Sequence, residues 1–86
     1  MTSRRITFAS SAGKELEALD ARLVQRILPK IRALAQEPHP PGCAKISGAK
    51  NLWRIRIGDY RVIYGVYDQE KTVDIVAVRH RREAYR

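Results

Sequence analysis

The sequence predicts an α+β fold: a short N-terminal strand, a two-helix hairpin, then an antiparallel three-stranded meander, all in one twisted sheet with the helices on one face. Three observations carry this reading. Apolar residues recur at spacings of three or four from Leu16 to Leu34, apolar and basic residues alternate from Trp53 to Ile57, and Pro38-His39-Pro40-Pro41-Gly42 separates the two regimes. With 86 residues the chain makes one domain, residues 1–86, and its 44% hydrophobic content suffices for one compact core.

The segment 4–9 reads as a strand with Ile6 and Phe8 on one face. Ser10 or Ser11 then caps a helix. Leu16, Leu19, Leu23, Ile27, Ile31 and Leu34 form its apolar stripe, and Asp20 interrupts the stripe as the cap of a second helix starting at Ala21. Pro29 falls inside that second helix, where the missing N–H predicts a kink. The proline run ends the helical half. Trp53-Arg54-Ile55-Arg56-Ile57 follows as a half-buried strand, Gly58-Asp59 as a two-residue hairpin turn, and residues 60–67 as a second strand rich in β-branched and aromatic side chains. Asp68-Gln69-Glu70-Lys71 is a polar loop, and Thr72 to Val78 is the last strand. The remaining residues form the most basic segment, Arg79-His80-Arg81-Arg82-Glu83-Ala84-Tyr85-Arg86.

Seventeen Lys and Arg against nine Asp and Glu leave a net charge of +8. That balance calls for a polyanionic partner: nucleic acid, an anionic membrane or an acidic protein. The N-terminal residues contain no apolar stretch of signal-peptide or membrane-span length, so the expectation is a cytoplasmic protein without a membrane partner. The single cysteine, Cys43, makes neither an intramolecular disulfide nor a zinc site. No cluster of Asp, Glu and His has metal-binding spacing, and no cofactor is expected.

A two-residue turn at Gly58-Asp59 sets the pairs across the hairpin: Ile57 with Tyr60, Arg56 with Arg61, Ile55 with Val62, Arg54 with Ile63, Trp53 with Tyr64. One face then carries Trp53, Ile55, Ile57, Tyr60, Val62, Tyr64 and Val66 toward the helices. The other carries Arg54, Arg56 and Arg61 together. Like charges directly opposed destabilise a strand pair, and a local conflict of that kind is expected where function demands it. Guanidinium forks match phosphate oxygens, so the cluster reads as a phosphate-binding face, against the plainer alternative of a solvated charged surface. The tail is expected to extend it with Arg79, His80, Arg81 and Arg82, and Tyr85 adds a ring of the kind that stacks on unpaired bases. Cys43, Trp53, Tyr60 and Tyr64 are expected to pack, and His39 to be solvated.

The text from Trp53 to Tyr64, followed by Val76-Ala77-Val78-Arg79-His80-Arg81-Arg82-Glu83-Ala84-Tyr85, resembles the RelE/ParE superfamily of bacterial toxins, specifically its RelE branch. Lys45-Ile46-Ser47-Gly48 is similar to the lysine-leucine-x-glycine segment of that family, and the resemblance spans nearly the whole chain. It implies a toxin of a type II toxin–antitoxin system that cuts messenger RNA in the ribosomal A site by metal-independent attack of the 2′-hydroxyl. Its partners would be the ribosome, mRNA and an acidic RelB-like antitoxin. The family's catalytic positions fall on Arg54, Arg56, Arg61, Arg81 and Tyr85, with Lys45, Lys50, Arg79, His80 and Arg82 as substrate contacts. The best-known member has lysines where this chain has Arg54 and Arg56. Arginine stays protonated and is a poor base, so the base is His80 or Glu83, or is absent, with slow cleavage driven by electrostatics and ribosomal groups. Two rival functions use the same fold: a ParE-like inhibitor of DNA gyrase, and an RNA-binding module without catalysis.

Overall fold

The computed structural model describes residues 3–80 and residue 82. Its elements are β1 (Arg5–Phe8), α1 (Ser10–Glu17), α2 (Ala21–Ala33), β2 (Ala44–Lys45), β3 (Leu52–Ile57), β4 (Tyr60–Tyr67) and β5 (Thr72–His80). The strands form one sheet in the order β1-β5-β4-β3-β2. β5 comes back parallel to β1 after the helices and the hairpin; the other neighbours are antiparallel. The α+β reading therefore holds, with one addition. β2 is two residues long, too short for any periodicity to reveal, and exists only through its pairing with Arg54 and Trp53.

Helix α2 starts as its residues dictate, for the Asp20 side chain accepts the Leu23 N–H at 3.0 Å. It runs to Ala33 with Pro29 inside it. Helix α1 starts one residue earlier than a serine cap would allow. Ala9 is its N-cap and Ser10 its first residue, because the Ala9 N–H is drawn to the Ile75 carbonyl at the end of the β1–β5 pairing.

Ile27, Ile31 and Leu34 of the second helical segment are at most 1% exposed and lie in one apolar cluster with Ile55, Val62, Tyr64, Val73 and Ile75 of the sheet. Burying each such aliphatic side chain contributes about 1.5–3 kcal/mol. Tyr64 carries a polar group into this core. Its hydroxyl donates to the Pro38 carbonyl at 2.7 Å, tying the proline-rich connection to the centre of β4. Burial first, and then neighbouring Cys43, push the Tyr64 phenol well above its ordinary value. His39 is exposed, yet its ring meets Trp53 edge-on at 4.3 Å rather than standing in solvent alone.

Removing the Tyr64 hydroxyl leaves the Pro38 carbonyl without its donor. Tyr64→Phe is expected to lower unfolding free energy by about 1–3 kcal/mol in urea titrations. The folded phenol holds its proton more tightly than the unfolded one, so wild-type stability is intact below about pH 10 and declines as pH rises beyond it. Tyr64→Phe is expected to lack that share of the alkaline decline, measured by the same titrations at pH 8 to 11.

Candidate nucleic-acid interface

The β3–β4 turn sets the site. Gly58 has φ +60° and Asp59 is not in the left-handed region, which suits a glycine-first two-residue turn. The register follows: Arg56 pairs with Arg61 and Arg54 with Ile63. β5 continues the rows, setting Arg79 opposite Arg61 and Ala77 opposite Ile63. Residues opposite one another across a ladder share a face, so one row of the face away from the helices reads Arg56–Arg61–Arg79 across three strands, with Arg54 in the next row. Arg61, in the middle, is only 7% exposed, whereas Arg56 and Arg79 are exposed and Arg54 is half-buried.

The row ends on a carboxylate. β1 stops at Phe8, opposite Ile75, leaving the edge of β5 beyond it without a strand partner among the described residues. Helix α1 takes over that edge. The Ser11 hydroxyl lies 3.5 Å from the Val76 carbonyl, and Glu15 Oε1 accepts the Val78 N–H at 3.0 Å. Oε2 of the same carboxylate accepts from Arg79 Nε at 3.1 Å. Glu15 thus closes an open backbone edge and puts one negative charge at the end of the guanidinium row.

A family described as "ParE toxin of type II toxin-antitoxin system, parDE" matches residues 6–85. The chain belongs to the RelE/ParE toxin superfamily. A RelE-like toxin protein of Escherichia coli is 31% identical over 85 residues, covering 94% of this chain and 88% of its own length. Toxin RelE of Mycobacterium tuberculosis is 32% identical over 80 residues, covering 83% and 82%. Among solved structures, the archaeal RelE of a RelE–RelB complex from Pyrococcus horikoshii superposes with a TM-score of 0.80 at 31% identity, over 92% of this chain and 96% of that one.

In this toxin the structure brings Arg54, Arg56, Arg61 and Arg79 onto one face and sets other expected contacts apart. Arg79 and His80 do not follow the last strand; they are its final residues, paired with Arg61 and Tyr60. Strand alternation therefore sends them to opposite faces. His80 stands on the helix side, its ring 5.2 Å from that of Tyr60, in a small cavity of about 160 Å³ that Leu23, Arg26 and Ile27 also line. Its Nδ1 accepts the Arg82 backbone N–H at 3.2 Å. Lys45 pairs with Trp53 on the edge strand and so sits on the Trp53 face, and it shares an open depression with Lys50. Arg82 is exposed. Arg81, Tyr85 and Glu83 lie outside the described residues.

Sequence reading missed Glu15, which resembles any charged residue on a helix surface. No local signal exposes it, because its two partners lie more than sixty positions away in sequence. Glu15→Ala is expected to lower stability by about 1 kcal/mol, the exposed ion pair adding little to the lost backbone bond. Hydrogen exchange checks the cause: the Val78 amide should exchange faster while the Val62 amide is unchanged.

Proposed function

We propose that this toxin is an endoribonuclease of the RelE branch, cutting messenger RNA on the ribosome. The observation that carries the reading is the register-enforced gathering of Arg54, Arg56 and Arg61 on the sheet face opposite the helices. RNA brings its own nucleophile, so the protein's task is to position the chain and stabilise charge. The 2′-hydroxyl attacks the adjacent phosphorus and gives up its proton. The P–O5′ bond breaks, leaving a cyclic phosphate on one fragment and a protonated 5′-oxygen on the other. In this reading Arg56 and Arg61 hold the phosphorane oxygens, and Arg54 and Arg79 the flanking backbone, by charge-assisted hydrogen bonds. Arg81 acts with them on the leaving group and Tyr85 stacks on a base. This route needs no metal, because the nucleophile is the RNA's own 2′-hydroxyl.

His80 is a poor choice of base from the opposite side of the sheet. The strand residues of the arginine face offer Asp74 as their carboxylate, and its Oδ1 already accepts from the Thr7 hydroxyl at 2.8 Å. Proton abstraction therefore falls to groups of the ribosome or to the C-terminal residues beyond 82. Solved relatives include RelE bound to RelB, and the partner that silences this toxin is an acidic antitoxin drawn to its +8 charge.

Purified toxin incubated with translating ribosomes is expected to create new message 5′-ends inside the A-site codon. Arg56→Ala and Arg61→Ala are each expected to slow that cleavage about 10²–10³-fold, with circular dichroism confirming that the fold survives. The match to the ParE family favours a second reading, inhibition of DNA gyrase. Intact messages together with gyrase-linked DNA breaks would establish that reading instead.

A further inference from the structure

The arginine face continues past Ile63 to Gly65 and Tyr67, because Val62, Tyr64 and Val66 alternate with them into the core. Tyr67 is one of two large apolar side chains left exposed among the described residues, at 37%. Its ring lies against the backbone of Gly65. A Cβ built at position 65 would stand 2.8 Å from Cε2, 2.9 Å from the hydroxyl oxygen and 3.0 Å from Cζ of that ring. Gly65 has no left-handed φ to justify it. What it supplies is the missing side chain that lets the ring rest on the strand.

Gly65 pairs with Leu52 on β3, one row from the Arg54–Ile63 pair. Rows on one face are about 7 Å apart along a strand, within the reach of a single nucleotide. An exposed aromatic ring thus lies over the row next to that of Arg54, on the same face. Single-stranded RNA sites combine these two elements, a cationic track for phosphates and a ring for the base. Across from Gly65 on β5 is Asp74, held by Thr7.

We propose that Tyr67, lying over Gly65 on the arginine face, is a stacking platform for an unpaired nucleobase of the bound RNA. The proposal rests on the RNA-cleaving reading above and adds a base-binding site at the end of the face remote from the hairpin turn. The backbone phosphate engages Arg54 while the neighbouring base lies on the Tyr67 ring. The competing explanation is packing alone, with the ring merely covering a bare stretch of strand.

Binding to ribosomes programmed with a 2′-O-methylated message, which resists cleavage, separates the two. The message is used intact and with one A-site nucleotide at a time made abasic. Tyr67→Leu, which keeps an apolar cover, is expected to weaken binding of the intact message about tenfold, and Tyr67→Phe to match wild type. At one abasic position wild type should lose the same factor and Tyr67→Leu should lose nothing more. Equal weakening of the intact message and every abasic message by Tyr67→Leu would overturn the platform while unmodified messages are still cleaved. A wild-type toxin that neither binds nor cleaves would remove the RNA reading and the platform together.

Discussion

The two-residue turn at Gly58-Asp59 determines what each side of the sheet can do. A strand has a side-chain period of two, so one more or one fewer residue in the loop would exchange the faces of β4 relative to β3. With the register as it stands, Ile55 meets Val62 and Ile57 meets Tyr60 beneath the helices, and the arginines meet on the far side. The apolar residues enforce this arrangement. Sliding β4 by one position would drive Arg61 toward Ile27 and Ile31 and would expose Val62 and Tyr64, both now completely buried. Opposed guanidiniums at Arg56 and Arg61 oppose the pairing, but by less than the burial of even one such side chain contributes. The core holds the cationic row together against its own repulsion.

That balance makes the end of the row instructive. Arg79 adds a third cation beside Arg61, and there the fold provides a counter-charge. The edge of β5 is open because β1 is only four residues long, and α1 lies against the strand that β1 leaves uncovered. Glu15 uses one carboxylate oxygen for the bare Val78 N–H and the other for Arg79. Only Nε of Arg79 is engaged in that bond, and a guanidinium carries four further N–H donors. The pair softens the charge of the row and leaves those donors available.

Much of this was legible in the residues themselves. The alternation from Trp53 to Ile57, the glycine-led turn and the β-branched run of β4 each point to a hairpin, and together they specify its register. Asp20 announced the start of α2. Legibility failed where a residue's role depends on a distant partner. Arg79 and His80 look like the beginning of a basic tail, and only their pairing with Arg61 and Tyr60 shows that the strand continues and splits them between faces. Ala44 and Lys45 carry no strand signal of their own. The cap of α1 is decided by the Ile75 carbonyl rather than by the nearby serines. Gly65 did offer a clue, since an isolated glycine inside a strand marks a place where something approaches the backbone closely.

The separation of His80 from the arginines bears on how such a site would work. Lysine can give up its proton when its surroundings lower its pKa, but arginine remains charged in a protein. A face built from Arg54, Arg56, Arg61 and Arg79 can hold and neutralise an anion, yet these side chains offer no acceptor for the proton of a 2′-hydroxyl. With the imidazole on the helix side, and with Asp74 and Glu15 each committed to a donor, this surface is organised for electrostatic stabilisation. Under the endoribonuclease reading proposed above, a toxin so constructed needs its RNA presented in a strained, in-line geometry by something else. In that proposal a message held in the decoding site would meet the requirement, whereas a free single strand would not.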